Sequence, residues 1–433
     1  MAILLKDARL IELDPPNVWS GDLRVEGHVI AQVASEIPPD PQDEVVDVGG
    51  AIVIPGLVNG HSHLYASLTV GVPGLMESPQ GFLQMLEQVW WRLDRALTPE
   101  SIEMSAIIGA VEALRSGVTT LINHHSSPSV IEGSLDIVAR GVRRVGLRGV
   151  LCYETTDRNG AAGRIAGIEE NRRFAAACRA KKDGRLGGMM GAHASFTLTD
   201  EALEEMARTP RLRLHIHLAE DPCDDQLSRA RYGASPVERL DAFNLLNADA
   251  ILVHAIHLSI ADLATVQQAC ATISHNPRSN MHNGVGHAPI HRFGVPVMLG
   301  TGGVGSDMLA EARAAWLKAR DAGVPIVPRQ TLAMLGAGQR TAGRLLGVRL
   351  GELREGAEAD LVVTDYRPAT PLDTASLAGH VLGGLSARHV RHVMVGGEWA
   401  LLERRVLGVD EVSCRADAQQ VAKGLWERMG RFA

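Results

Sequence analysis

Two histidines near the start of the chain are spaced so that both can bind one metal ion. The apolar run at 52–58 predicts a buried strand, and His61 and His63 follow it where it opens into a loop. Side chains at positions i and i+2 of an extended segment point to the same side, so both imidazoles can reach a single point. Imidazole nitrogens bind borderline metals such as zinc and iron. A lone His-x-His is a weak signal, but later predicted strands end in the same way.

A second pair of histidines lies further along the chain, beside a carboxylate. His215 and His217 alternate on a predicted strand, which sends both side chains to one face, and Glu220 follows in the next loop. A carboxylate in that position can carry a proton to or from a substrate. His254 ends another apolar run and is placed to contact metal-bound water, whereas His257, one turn later, is typical of a loop histidine. Together these residue types indicate a metal ion with an acid–base partner.

The middle of the chain predicts the strands that would bring these residues together. Apolar segments followed by a polar residue and a helical stretch recur at 52–58, 118–123, 147–152, 189–192, 212–216, 250–253, 271–274 and 295–300. Eight such units predict an α/β fold, a (β/α)8 TIM barrel, whose active sites lie at the carboxyl ends of the strands. Six of the eight segments have histidine at or just past that end, which a chance scatter of 17 histidines would not produce.

Both ends of the chain predict a different kind of structure. Short strand-like segments occur before residue 50 and again near 359–365 and 390–398, and residues 409–433 predict a closing helix. We therefore predict one small β-sandwich built from both termini. The expected domains are a first sandwich part at 1–54, the hydrolase barrel at 55–350, and a second sandwich part with the C-terminal helix at 351–433.

Composition excludes several classes of partner. The chain has 433 residues, 45% of them hydrophobic and 21% charged, as in ordinary globular proteins. A net charge of −7 and a pI near 6.2 argue against nucleic acid or an anionic membrane as partner. No apolar stretch approaches the ~18 residues of a membrane-spanning helix, and the start lacks the features of a secretory signal. Five scattered cysteines without a Cys-x-x-Cys predict a reduced, cytoplasmic protein.

Several motifs, taken together, resemble one known family. They are His61-Ser-His63-Leu, Gly191-Ala-His193, His217-Leu-Ala-Glu220, Val253-His254, Ser274-His275-Asn-Pro-Arg-Ser-Asn280 and Leu299-Gly-Thr. This set resembles the amidohydrolase superfamily, in the branch that holds guanine, cytosine and S-adenosylhomocysteine deaminases with triazine hydrolases. Within that branch the chain is most similar to SsnA-type aminohydrolases, through Trp90-Trp91-Arg-Leu-Asp94, His124-His125-Ser-Ser-Pro128, Glu154-Thr-Thr-Asp157-Arg158 and Gly305-Ser-Asp307-Met308. The resemblance covers nearly the whole chain.

The resemblance implies a metal-dependent aminohydrolase or deaminase. His61, His63 and His217 would hold one divalent metal, with zinc the first choice and iron the second. In the family, hydroxide generated on the metal attacks an amidine-like ring carbon that bears an amino or halide leaving group. Glu220 would protonate the ring nitrogen and His254 would steady the hydroxide. The fourth predicted strand has no lysine to carboxylate, which favours one metal over two. Family members of this kind commonly form homodimers or higher homo-oligomers.

The resemblance also suggests residues that contact the small heterocyclic substrate. His193 would do so from the fourth strand, and weaker candidates to line the pocket are Trp90, Trp91, Tyr153, Glu154 and Phe196. For the two tryptophans, packing in the core is at least an equal explanation. The polar residues Asn276, Arg278 and Asn280 either hold substrate atoms or cap the seventh strand.

One position departs from the family pattern. After Leu299-Gly300-Thr301 the family has an aspartate that binds the metal and accepts a proton from water, but here the residue is Gly302. Three explanations remain open: an impaired natural site, a substitution, or replacement by Asp307, which is the least favoured because Asp307 belongs to the family's own pattern. The sequence predicts hydrolysis of a carbon–nitrogen bond other than a peptide bond. The alternatives are a triazine-type chlorohydrolase and a catalytically impaired member.

Overall fold

The structure is a computed structural model that describes residues 2–73, 79–209, 211 and 213–432. The strands are β1 (Ile3–Leu13), β2 (Pro16–Glu26), β3 (Val29–Ala34), β4 (Glu44–Asp47), β5 (Ile52–Pro55), β6 (Leu57–Ser62), β7 (Val118–His125), β8 (Arg148–Tyr153), β9 (Leu186–Gly188), β10 (Met190–Ala192), β11 (Leu214–Leu218), β12 (Ile251–His254), β13 (Thr272–His275), β14 (Val297–Leu299), β15 (Leu361–Thr364), β16 (Val390–Val395), β17 (Glu398–Leu402) and β18 (Arg405–Val406). Leu212, the first residue predicted for the fifth barrel strand, lies outside the described residues.

Helices connect most of these strands. The α-helices are α1 (Phe82–Met85), α2 (Trp91–Ala96), α3 (Pro99–Arg115), α4 (Ser134–Val145), α5 (Gly160–Lys181), α6 (Asp200–Ala207), α7 (Pro222–Tyr232), α8 (Pro236–Ala242), α9 (Ile260–Ala269), α10 (Pro277–Asn283), α11 (Met308–Asp321), α12 (Pro328–Leu346), α13 (Leu377–Gly383) and α14 (Glu411–Gly430). A π-helical turn, Leu86–Trp90, joins α1 to α2, and short 3-10 turns lie at Leu64–Thr69, Ser195–Thr197, Ile290–Arg292 and Ala387–His389. In the described part of the chain, no helix is both long and apolar enough to cross a membrane.

The middle of the chain forms two parallel sheets, which confirms the predicted α/β class. One has the order β6-β7-β8-β9 and the other β10-β11-β12-β13-β14. Backbone hydrogen bonds join the sheets at both edges, through parallel bridges between Ser62 and Gly302 and between Thr155 and Ala192. The predicted fourth strand is broken into β9 and β10 at Met189. The carboxyl ends of all these strands therefore meet at one rim, where the histidines lie.

The first predicted barrel strand differs from the observed one. Residues 52–55 form β5, which pairs with β1 and β15 in the sheet of the termini, and β6 begins only at Leu57. The reason is Gly56, where the chain passes from one sheet to the other. A Cβ atom at this position would collide with the side chain of Thr119. The shift places His61 inside β6 and His63 directly after it.

The two ends of the chain share one nine-stranded sheet, in the order β18-β17-β16-β15-β5-β1-β2-β3 with β4 against β1. This sheet has an apolar cluster of its own, which includes Leu10, Val25, Val363 and Met394. α14 packs against α2 and α3 at the outside of the parallel sheets. Strands from both ends of the chain thus contribute to one sheet.

A buried arginine forms ion pairs between the parallel sheets and the nine-stranded sheet of the two chain ends. Nη2 of Arg148, the first residue of β8, lies 2.7 Å from Oε2 of Glu358, and its Nε lies 3.0 Å from Oδ2 of Asp360. Replacement by methionine, Arg148→Met, leaves two carboxylates buried without their cation. We expect the free energy of unfolding in urea to fall by about 3–5 kcal/mol.

The matched control for this prediction is an arginine of an exposed ion pair. Arg391 pairs with Glu403 at the surface, and Arg391→Met is expected to change the free energy of unfolding by less than ~1 kcal/mol. Equal losses in the two variants would contradict a special role for the buried pair.

Candidate active site

Three imidazoles from two strands converge at the rim of the parallel sheets. The ligand nitrogens of His61, His63 and His217 all lie within 4.8 Å of one another. Nε2 of His63 is 3.2 Å from Nε2 of His217. Nε2 of His61 is buried and has no hydrogen-bond partner. The structure thus brings together the three residues that the sequence predicts as metal ligands.

Hydrogen bonds fix which nitrogen carries a proton in two of these rings, those of His63 and His217. Nδ1 of His63 donates to the carbonyl of His124 at 2.8 Å, and Nδ1 of His217 donates to the carbonyl of His193 at 3.0 Å. Their Nε2 atoms are therefore left as lone pairs that face each other, an arrangement that a cation stabilises. Two nitrogens bound tetrahedrally to zinc lie ~3.3 Å apart, close to the spacing found here. The residues fit a metal ion.

Burial keeps these rings in the neutral form that binds metals. It lowers the pKa of His63 to about 3, with a further contribution from His124. The pKa values of His61 and His217 are also well below the ordinary histidine value, chiefly because of burial. At neutral pH the three imidazoles are therefore uncharged, which is the form that binds a metal ion.

The side chain of His215 contacts His61 and is not one of the three grouped metal ligands. Nε2 of His215 lies 2.9 Å from Nδ1 of His61, and Nδ1 of His215 lies 3.5 Å from Sγ of Cys152. This buried chain orients the ring of His61 from behind. Sequence reasoning placed His215 on the same face as His217 but did not find its partner, which comes from a strand 154 residues away.

The predicted proton carrier and its neighbour form a pair at the same rim. Oε2 of Glu220 lies 3.4 Å from Nε2 of His254, and Oε1 accepts a hydrogen bond of 3.0 Å from Nδ2 of Asn283. Nδ1 of His254 bonds to Oδ1 of Asn280 at 2.6 Å. The backbone of His254 has a φ of +74°, a strained conformation for a residue other than glycine. Such strain often marks functional positions.

A small cavity of about 40 Å³ lies over these groups. Its described lining residues are His63, Tyr65, Phe82, Leu86, Trp90, Trp91, Asp94, Glu154, His193, His217, Glu220, His254, Ser279, Asn283 and Gly303. Trp90, Trp91, Glu154 and His193, which the sequence analysis names as candidates for substrate contact, thus line this cavity. Nδ1 of His193 bonds to Oγ1 of Thr197 at 2.7 Å. Both tryptophans also pack against the core, so the two explanations for them hold together.

Two predicted lining residues are not among the described ones at this cavity. Tyr153 follows Cys152, whose side chain points inward to His215, so alternation turns the Tyr153 ring outward against Gly167 of α5. Phe196 packs its ring 5.7 Å from the ring of His193 and supports it from the side. Conversely, Tyr65, Asp94 and Asn283 were missed. They come from loops and short helices. The pattern of predicted strands does not show that these segments fold over the site.

Glu154 lies in a buried charged cluster next to the histidines. Its Oε2 is 3.3 Å from Nδ1 of His124, and its Oε1 is 3.9 Å from Nη2 of Arg158. Burial alone would raise the pKa of Glu154, but His193, His124 and Arg158 together hold it below the ordinary value. Arg158 also pairs with Asp94, whose pKa burial raises to about 6. The carboxylate of Glu154 is thus ionised at neutral pH.

Gly302 lies directly beside the metal-binding histidines. Its N–H donates to the carbonyl of His61 at 3.0 Å, and its carbonyl accepts from the N–H of His63 at 3.0 Å. Its φ is +58°, and a Cβ atom would lie 2.7 Å from Oγ of Ser279. The backbone that should present an aspartate is therefore in place, but the space for the side chain is filled.

The other polar residues of this region have structural partners. The carboxylate of Asp307 accepts from the N–H groups of Leu309 and Ala310 and caps α11, so it is occupied away from the histidines. Arg278 pairs with Glu311. Asn280 bonds to His254, and Oδ1 of Asn276 accepts from Oγ of Ser274 at 3.2 Å. Asp307 is not part of the metal-binding groups found among the described residues.

An α/β protein whose strand ends bring imidazoles and a carboxylate together is typical of metal-dependent hydrolases. Comparison with known proteins agrees with that class. The amidohydrolase family model matches residues 52–400. The 5-methylthioadenosine/S-adenosylhomocysteine deaminase of Desulforudis audaxviator is 30% identical over 447 residues, which cover 99% of this chain and 100% of the relative. The chain belongs to the amidohydrolase family.

Solved structures show the same fold. A zinc-bound adenosine deaminase from Xanthomonas campestris has a TM-score of 0.82 at 23% identity and covers 98% of each chain. An atrazine chlorohydrolase from Arthrobacter aurescens, in complex with zinc, has a TM-score of 0.80 at 22% identity, over 97% of this chain and 100% of that one. The predicted family, branch and hydrolase class are thus confirmed. The finer likeness to SsnA-type aminohydrolases stays a prediction.

Proposed function

We propose that this protein is a metal-dependent aminohydrolase that removes an exocyclic amino group from a purine-type heterocycle. The observation that carries the proposal is the convergence of one ring nitrogen from each of His61, His63 and His217 beside the Glu220–His254 pair. The substrates named for the Desulforudis relative both contain an adenine ring. An adenosine-type amine is therefore the first substrate class to examine.

His61, His63 and His217 would hold the metal, with zinc as the first choice and iron as the second. Such an ion lowers the pKa of a coordinated water from ~15.7 to ~7 and so supplies a nucleophile at neutral pH. Three neutral imidazoles with an open fourth position form a sufficient catalytic zinc site in carbonic anhydrase. The loss of a carboxylate at Gly302 is thus compatible with metal binding.

The remaining residues bind the substrate and move protons. Glu220 lines the cavity and would transfer a proton to the ring nitrogen and then to the leaving amine. His254 would orient the attacking water through Nε2, because its Nδ1 is held by Asn280. His193 is fixed through Nδ1 by Thr197 and would contact the ring, with Trp90 and Glu154 beside it.

We also infer that the two parallel sheets form one closed (β/α)8 barrel over 55–350, with the sandwich parts at 1–54 and 351–433. The bridges at both edges of the sheets support closure. Homo-oligomer formation, the cytoplasmic location, and the absence of nucleic acid and membrane partners stay predictions from sequence. The chlorohydrolase alternative also stays a prediction, since the likeness to the atrazine enzyme concerns the fold.

Gly302 offers the direct test of this function. We expect wild type to bind about one zinc per chain and to deaminate 5'-methylthioadenosine slowly, because the proton-accepting aspartate is absent. Gly302→Asp is combined with Ser279→Ala, which removes the hydroxyl 2.7 Å from the new Cβ and leaves the Cβ of residue 279 at 3.0 Å. The double variant is expected to raise turnover ~10²-fold or more. Ammonia release and elemental analysis check both quantities, and chloride release from a chlorotriazine checks the alternative.

The matched control is Gly302→Asn with Ser279→Ala, which has the same shape but no charge and should leave turnover at the wild-type level. If neither wild type nor either double variant binds metal, the proposal is overturned. If the aspartate variant binds metal but turns over none of the tested substrates, the chain is the catalytically impaired member named above as an alternative.

A further inference from the structure

A second group of metal-binding side chains lies beside the first. His124, Glu154 and His217 each offer a ligand atom, and these atoms lie within 4.8 Å of one another. We propose that these three residues form a second site for a divalent metal ion, in which Glu154 supplies the carboxylate that position 302 lacks. The proposal rests on the proposed function, since the same kind of ion binds there.

Hydrogen bonds hold Nε2 of His124 but leave its Nδ1 without a hydrogen-bond donor. Nε2 lies 3.2 Å from the carbonyl of Ala192 and 3.3 Å from the carbonyl of His215. Carbonyl oxygens only accept, so Nε2 carries a proton, and in the neutral ring Nδ1 is then a lone pair. That buried lone pair lies 3.3 Å from Oε2 of Glu154. Two electron-rich atoms at this distance need a positive charge between them, either a second proton on His124 or a metal ion.

Arginine does not supply this cation. Arg158 donates to Oδ2 of Asp94 and is 3.9 Å from Oε1 of Glu154. Its charge is therefore matched first by Asp94. The oxygen that faces His124 remains free to bind an ion.

Two imidazoles and one glutamate are an established donor set for zinc. The same combination, with water in the fourth position, binds catalytic zinc in thermolysin and carboxypeptidase A. Glu154 is nearly buried, with 5% of its side chain exposed, so the ion would be held away from bulk solvent. The carboxylate would also offset one of the two positive charges, which the three-histidine set cannot do.

The two sites are linked through shared residues. His217 belongs to both sets. Its Nδ1 is held by the carbonyl of His193, and the one remaining nitrogen lone pair binds one ion at a time. The carbonyl of His124 also accepts the hydrogen bond that orients His63. An ion at either site thus affects the geometry of the other, and one chain should hold one ion shared between two positions.

The experiment measures zinc affinity by competition with a chelator, and the visible spectrum of the cobalt(II) form. Glu154→Gln and His124→Gln each remove a ligand of the second site only, and glutamine at 124 keeps a donor near the Nε2 position. We expect each to weaken zinc binding ~10-fold to 100-fold or more and to change the cobalt spectrum. The control is Glu311→Gln, which removes a buried, ion-paired carboxylate elsewhere and should change neither.

The outcomes separate this inference from the proposed function. Wild-type affinity and an unchanged cobalt spectrum in both variants, with loss of metal in His63→Ala, would show an ion pair only between a doubly protonated His124 and Glu154. That result would overturn the second site and leave the proposed function intact. A wild-type protein that binds neither zinc nor cobalt would overturn both. Circular dichroism checks folding, and if one variant fails to fold the other decides.

Discussion

Replacing His217 by alanine is expected to remove the bound metal from the protein. Its Nε2 atom is part of the three-histidine set and of the His124–Glu154–His217 set, so no complete set survives. Changes to residues that merely orient ligands already cost 10-fold to 100-fold in metal affinity. Loss of a shared ligand should lower zinc affinity by more than ~10²-fold, and turnover should fall with it. Elemental analysis after dialysis measures the metal content per chain.

A histidine from the same rim provides the matched control. His257 lies just past β12, is exposed, and bonds through Nε2 to the carbonyl of Val285. His257→Ala should therefore keep the full metal content. If His217→Ala retained as much metal as His257→Ala, the histidines at the strand ends would not be the ligands.

Replacing Glu220 by glutamine should lower kcat by ~10²–10⁴-fold while the metal stays bound. Glutamine has the same shape and its Oε1 can still accept from Asn283, so the structure of the rim is kept. It cannot give up or take a proton at neutral pH, however. The effect is best measured as ammonia release in the Gly302→Asp, Ser279→Ala background, where turnover is expected to be high enough for losses of this size.

The matched control for Glu220→Gln is a change at Asp221, the next residue in the chain. Asp221 accepts from the N–H of Cys223 and caps α7, and asparagine caps helices equally well. Asp221→Asn should leave kcat and metal content unchanged. A kcat within twofold of the parent in Glu220→Gln would rule out Glu220 as the proton carrier, and a loss of metal would give it a different role.

Strand-borne features of the site could be predicted from the sequence because they depend on local periodicity. The alternation of His61 and His63, and the apolar runs that end in His217 and His254, are short-range patterns that the fold preserves. The parallel arrangement then brings the strand ends to one rim. Local pattern was also misleading once, because the run at 52–58 is apolar throughout while Gly56 divides it between two sheets.

The supporting residues could not be predicted, because their partners are distant in sequence. His215 reaches His61 across 154 residues, and Asn283 reaches Glu220 from the end of a helix 63 residues away. Nothing in the sequence around Glu154 distinguishes a residue that lines the cavity from one that also faces the lone pair of His124. Such pairings depend on how loops and helix ends fold back, which no strand or helix period encodes.

Ser279 has a consequence for how an aspartate could arise at position 302 by mutation. Gly302→Asp alone meets a left-handed backbone at φ +58° and a hydroxyl 2.7 Å from the new Cβ. The first step on that path is therefore unfavourable, although aspartate tolerates this conformation better than most residues. A prior exchange of Ser279 for a smaller residue would remove the nearer of the two contacts. The order of the two mutations therefore matters, because Ser279 disfavours any side chain at position 302.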